Sequence, residues 1–325
     1  MNLNLRENLS HKKIITILAV VSIILGALCC VLGDIILPFL VGVLAALYLF
    51  DDSEKRTASF WVSIVVVLLN FSAVYFLYLT SFFGPASIIL ARMLSRGFKN
   101  QKSKADTAYL MTIVVAGFTV ISAIFLAMLL MDSYTFDAAV AFYTELVNVI
   151  KPTLYNETIA LLSQIGTQLS EEYVVAAINH QFNMIIAYVL IYSFLVVGIS
   201  AKLFGAIVSR CMEDKESIRK WRFVTSNVYA YFYVILALAA VFVGTTDVLS
   251  VSVLNLYCLF MHVFAYVGFN YAVALFGRKM KKVASFIIVS IALLISGTIG
   301  LQILAFLGVM FTIRRSRLNT TDDLR

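Results

Sequence analysis

Residues Val283 to Arg317 read VASFIIVSIALLISGTIGLQILAFLGVMFTIRRSR, a long apolar run closed on both sides by basic clusters. One unbroken helix would carry Arg314, Arg315 and Arg317 to the opposite side of a membrane from Arg278, Lys279, Lys281 and Lys282. Cytoplasmic loops collect Lys and Arg, so both clusters belong on one side. The chain is therefore expected to turn back at Ser296-Gly297-Thr298-Ile299-Gly300, giving two short helices at 283–296 and 300–313 and a cytoplasmic C-terminus.

The same logic extends outward from this run. Of 325 residues, 62% are hydrophobic and only 13% charged, with a mean hydropathy of +0.95. A helix that crosses the hydrocarbon core needs about 20 mostly apolar residues. Stretches such as SIVVVLLNF (63–71) and IIVSIALLI (287–295) are apolar on all sides. They lack the two-residue alternation of an outer-membrane barrel. The fold class is thus all-α, a polytopic integral membrane helical bundle with about eight to ten membrane helices, short hairpin helices included. Segments are expected at 14–32, 35–50, 58–80, 85–97, 107–131, 183–209, 225–246, 250–276, 283–296 and 300–313. Pro38 and Pro85 suit the first turns of the second and fourth. The first run, IITILAVVSIILGALCC, is too long for a signal core and has Leu28 where cleavage wants a small residue, so it is read as a retained span.

All but one of the 25 Lys and Arg residues fall in 1–13, 51–57, 92–106, 202–224, 277–282 and 313–325. The exception, Lys151, lies among Asp132, Asp137, Glu145, Glu157, Glu171 and Glu172. That places 132–182 outside and both termini inside, in a multi-pass protein of the cell (plasma) membrane. Three regions follow: N-terminal membrane helices 1–131, an extracytoplasmic amphipathic segment 132–182, and C-terminal membrane helices 183–325. The outer segment is expected to form two amphipathic helices broken at Lys151-Pro152, then a third that starts at Ser170 and runs unbroken into the 183–209 span. Such helices lie in the outer interface or cap the bundle as a lid.

Signatures of catalysis are missing: there is no Gly-x4-Gly-Lys-Ser/Thr loop, no His-Glu-x-x-His and no paired intramembrane carboxylate. The four cysteines, Cys29, Cys30, Cys211 and Cys258, have no zinc-like spacing. No enzyme activity, cofactor or metal is expected, and any energy from ATP must come from a partner. The basic loops are explained by attraction to anionic membrane lipid, and nucleic-acid binding has no support beyond charge. Arg92 and Lys202 are read as snorkelling from helix ends, and Tyr229 and Tyr233 as interface aromatics.

One stretch resists the plain reading. In NLYCLFMHVFAYVGFN (255–270), Asn255, His262, Tyr266 and Asn270 fall within an arc of roughly 80° at about 100° per residue. Polar groups in lipid are costly unless they face the bundle or a wet cavity, so this stripe is expected to point inward. Ser59, Ser63 and Asn70 share a face of the third helix, and Asn227 and Tyr231 are four apart on the seventh. The stripe either glues helices together or, with Ser63, Asn70, Asn227 and Tyr231, lines a chamber for a small-molecule substrate.

Ile36-Leu37-Pro38-Phe39-Leu40 opening a short helix, Phe83-Gly84-Pro85 followed by ARMLSRG, a long outer segment and the ending FLGVMFTIRRSR together resemble the YybS-like family of bacterial predicted membrane proteins (domain of unknown function 2232), over nearly the whole chain. Members often carry an acidic residue between the glycine matching Gly308 and the final arginines; here that stretch is VMFTI. The pattern is in turn similar to the substrate-binding membrane subunits of energy-coupling-factor transporters. That likeness implies a transporter-like subunit that binds a small molecule and is energised by an ATPase-bearing membrane complex. The alternative is a non-catalytic scaffold, or an envelope or sporulation-associated interaction protein without a ligand.

Overall fold

The apolar runs form helices because a backbone in lipid must satisfy its own hydrogen bonds. The structure, a computed structural model, describes residues 10–51, 56–72, 77–100, 104–164, 170–212, 225–244 and 247–322. The expected basic loop over 213–224 and the N-terminal nine residues lie outside the described residues. Among the described residues there are eleven helices and no strand. They are α1 His11–Leu32, α2 Leu37–Phe50, α3 Thr57–Ser72, α4 Leu77–Lys99, α5 Lys104–Leu130, α6 Phe136–Gln164, α7 Glu171–Asn183, α8 Ile185–Cys211, α9 Asn227–Phe242, α10 Val248–Phe276 and α11 Lys282–Asp322. By length and composition, α1, α5, α8, α10 and residues Val283–Arg314 of α11 are suited to cross a membrane, while α2, α3 and α9 are apolar but shorter. Large apolar side chains such as Phe242, Val248 and Ile295 are more than four-fifths exposed, which suits a surface wetted by lipid rather than water.

The C-terminal run folds back as its flanking charges require. Gly297 has φ 54 and ψ −127 inside α11, a left-handed conformation that glycine adopts without the Cβ penalty. Ring contacts fix the consequence: Phe269 meets Phe286 with centroids 5.5 Å apart, and Tyr271 meets Phe311 at 4.6 Å. Phe286 and Phe311 are 25 positions apart, about 38 Å along a straight helix, yet they touch residues two apart on α10. The two halves of α11 therefore form a hairpin against α10.

Proline and polar groups move three other boundaries away from expectation. Pro85 lies inside α4 and not at a helix start, and the expected 58–80 span takes in α3 and the first turn of α4, with 73–76 outside the described residues. Pro152 lies inside α6, a continuous 29-residue helix. An interior proline removes one N–H and strains one turn at a cost of about 3 kcal/mol, which the bonds on either side outlast. The third outer helix does not run unbroken into the next span: α7 ends at Asn183 and α8 begins at Ile185.

Two compact units emerge, one built from Met1–Asn179 with Tyr192–Arg222, the other from His180–Ile191 with Phe223–Arg325. In the first, α2 is the centre. Twelve of its fourteen residues are buried, as an all-apolar helix of only about 21 Å must be. Its start, with Pro38 in the first turn, meets α8 at the Ser200 hydroxyl, whose one proton is shared between the Val196 carbonyl at 2.8 Å and the Pro38 carbonyl at 3.0 Å. In the second, Phe264, Ala265, Ala272, Leu304, Ala305 and Val309 form the core between α10 and the returning half of α11. Backbones nearly touch there: a Cβ on Gly268 would overlap the Leu304 carbonyl, and one on Gly308 the Phe264 carbonyl.

Candidate functional site

Of the α10 stripe, Asn255 has the clearest task. Its Nδ2 donates to the Asn183 carbonyl and to the Val251 carbonyl, both at 2.8 Å, while its Oδ1 accepts from the Ala187 N–H at 2.9 Å. Asn183 and Ala187 are an i, i+4 pair that would bond to each other in a continuous helix. The amide is inserted into that rung, and this is what separates α7 from α8. Both Asn255 donors are used, so its role is helix stitching. Asn270 Nδ2 donates to the Tyr266 carbonyl on its own helix at 2.6 Å. The His262 Nδ1 is 2.8 Å from the Cys258 carbonyl. A carbonyl only accepts, so Nδ1 carries the proton and Nε2 of a neutral ring is an acceptor. Tyr266, Asn270 and His262 are each half-buried.

The other expected site residues divide between the units. On α9, Tyr231 is half-exposed, and the half-buried Asn227 keeps an Oδ1 without a hydrogen-bond partner among the described residues. Tyr233, read as an interface aromatic, is instead buried, stacked on Tyr257 at 5.8 Å and tilted against Phe264 at 5.4 Å. The apolar run around it leaves its ring facing the core. On α3, Asn70 is fully buried, with Nδ2 donating to the Val66 carbonyl at 2.8 Å.

Ser63 leads to a constellation that the sequence reading missed. The Ser63 hydroxyl donates to the Ser59 carbonyl at 2.6 Å, so its remaining partner, the Tyr48 hydroxyl, donates to Ser63. This fixes the Tyr48 ring, and the Arg92 guanidinium lies over its face, 5.3 Å from the centroid, a favourable cation–π placement. Around this pair opens a cavity of about 320 Å³ lined by Tyr48, Arg56, Ser59, Phe60, Arg92, Ser95, Arg96 and Lys99. Asp51, itself buried, accepts from the Ser59 N–H at 2.7 Å and so pins the start of α3 at the cavity wall. Arg56 has φ 35, a left-handed conformation that is uncommon for a non-glycine residue and that clusters at functional sites.

Among the described residues, four of the eight that line the cavity are cationic and none is acidic, and the Asp51 carboxylate at its wall is engaged by the Ser59 N–H. Arg92, Arg96 and Lys99 fall within an arc of about 60° on α4. Like charges three and four apart destabilise a helix by about 0.2–0.5 kcal/mol per pair, so gathering three cations on one face of α4 carries a cost. Snorkelling alone does not describe Arg92, which is held over an aromatic ring at a cavity. The spacing Arg92, Arg96, Lys99 was visible in the sequence; the approach of Tyr48 from α2 and of Arg56 from just before α3 was not.

Residues 17–310 match the family described as Predicted membrane protein (DUF2232), and the chain belongs to that family. No curated protein matches the chain, and no solved structure does.

Proposed function

We propose that this member of the DUF2232 predicted membrane protein family is a transporter-like membrane subunit that captures a small anionic molecule in the cavity between α2, α3 and α4. It performs no chemistry of its own, and a partner complex supplies the energy for any movement of the ligand. The observation that carries this reading is the cationic cavity, with Arg56, Arg92, Arg96 and Lys99 around one space and buried Ser59 and Ser95 in its wall. Such a concave site with convergent polar groups is the usual form of a small-molecule site. Placing it at the basic ends of helices, on the side the charge distribution assigns to the cytoplasm, favours ligand exchange with that compartment.

For the α10 stripe, the engaged amide of Asn255 favours helix stitching over substrate binding. His262 keeps the stripe open to a ligand through its Nε2 acceptor. Affinity purification in mild detergent tests the proposal: an ATPase-bearing complex is expected to co-purify, and the isolated chain is expected to hydrolyse no ATP above background. Turnover by the clean, isolated chain would overturn the passive role.

A further inference from the structure

We infer that the cationic cavity is built for a phosphoryl group, specifically the dianionic phosphate of a monoester, free or carried on a lipid headgroup. The inference rests on the anion-capture reading and narrows it. A carboxylate offers two oxygens in one plane and a single charge. A phosphate monoester carries about −1.5 to −2 and three acceptor oxygens in a tetrahedral array. The cavity presents donors from more than one direction: Arg92 and Arg96 from one face of α4 and Arg56 from just before α3, while Tyr48 at the end of α2 holds Arg92 over its ring. Guanidinium forks match phosphate oxygens in pairs. The buried Ser95 hydroxyl adds a neutral donor between Arg92 and Arg96 in the chain.

Size and position agree. A volume of about 320 Å³ is at the lower end of the range of ligand sites, roughly 300–1,000 Å³, enough for a headgroup or a small phosphorylated molecule. Phe60 lines the cavity yet is 55% exposed, and its neighbour Trp61, packed edge-on against it at 5.6 Å, is 57% exposed. Large aromatics exposed at a helix end mark the headgroup level of a bilayer. A phosphate at this mouth is therefore reachable from the aqueous phase and from the leaflet.

The test uses the full-length chain in phosphatidylcholine nanodiscs, with inorganic phosphate and succinate as soluble probes and discs doped with phosphatidic acid as the lipid probe. Equilibrium binding and the thermal midpoint are read for wild type, Arg92→Gln, Arg96→Gln, Arg92→Lys and Arg210→Gln. Inorganic phosphate binding assigns a soluble source, a response to phosphatidic acid alone assigns the lipid, and either supports the inference. Arg92→Gln and Arg96→Gln are expected to weaken the response about ten-fold or more, Arg92→Lys less, because charge stays and the fork is lost. Arg210→Gln, which removes the same charge from α8 at a residue that does not line the cavity, is expected to bind as wild type. Succinate bound as tightly as phosphate overturns the phosphoryl assignment and leaves anion capture standing. No response to any probe overturns both, as does an equal loss in Arg210→Gln, and unchanged midpoints of the variants without ligand show that the fold is intact.

Discussion

The close approach of α10 to the returning half of α11 gives a stability prediction with an internal control. In Gly308→Ala the new methyl would overlap the Phe264 carbonyl and lie 3.0 Å from the Gly268 nitrogen; in Gly268→Ala it would overlap the Leu304 carbonyl and lie 2.9 Å from the Gly308 nitrogen. Non-bonded heavy atoms reach their optimum at about 3.5 Å or more, so even the milder contact falls short by about 0.5 Å. The obstacles are backbone atoms, which cannot rotate away as a side chain does. The helices must part, loosening the packing of Phe264, Ala305 and Val309, and overpacking of this kind costs about 1–3 kcal/mol. Gly117→Ala and Gly205→Ala are the controls, because a Cβ at either position meets nothing within 4 Å. Thermal unfolding of the four variants in one detergent is the assay. Gly308→Ala and Gly268→Ala should melt earlier than both controls. Equal stability of all four would refute the helix contact and, with it, the hairpin packing of α11.

Asn255→Ala should cost about 1–3 kcal/mol by stranding the Asn183 carbonyl and the Ala187 N–H; loss of exchange protection at the Ala187 amide would locate the damage, and unchanged protection would contradict the stitching role. Asp247 caps α10 by accepting from the Ser250 N–H at 2.9 Å, and the hydrogen bonds from Ser250 hold its carboxyl below the usual range. With the folded value lowered, the cap contributes fully above the unfolded value of about 3.9 and is lost as pH falls through the folded value. Protection of the Ser250 amide should thus be flat at neutral pH and fall only in acid, and in Asp247→Ala it should be low throughout. Reporters fused after Arg317 or inserted in 98–104 should read cytoplasm and one near residue 166 outside; an external C-terminus would contradict the charge-based orientation.

Helix positions were legible because lipid leaves the backbone one local solution, so apolar runs mark where helices form. The turn at Gly297 was legible for a different reason: the positions of Arg278 to Lys282 and Arg314 to Arg317 could be reconciled with one-sided basic charge only by doubling back. Breaks inside helices were not legible. Proline at 85 and 152 suggests a boundary, yet a missing N–H does not decide whether the neighbouring turns hold. Conversely, nothing local announces the break at Met184, since its cause is an amide 71 positions further on. Periodicity put Asn255, His262, Tyr266 and Asn270 on one arc of α10, but it could not say that Asn255 spends its donors on backbone. The cavity was hidden because Tyr48 on α2 and Arg56 just before α3 line it together with Arg92 from separate parts of the chain, and only the Arg92, Arg96, Lys99 spacing hinted at it.

Native mass spectrometry of the intact chain released from membranes, wild type against the Arg92→Gln/Arg96→Gln double variant, tests anion capture most directly. Wild type is expected to retain an anionic adduct that gentle collisional activation removes, and the double variant is expected to fly without it at the same folded charge-state distribution. An adduct equally occupied in both, or absent from a folded wild type, would contradict the cationic cavity as the site this protein uses.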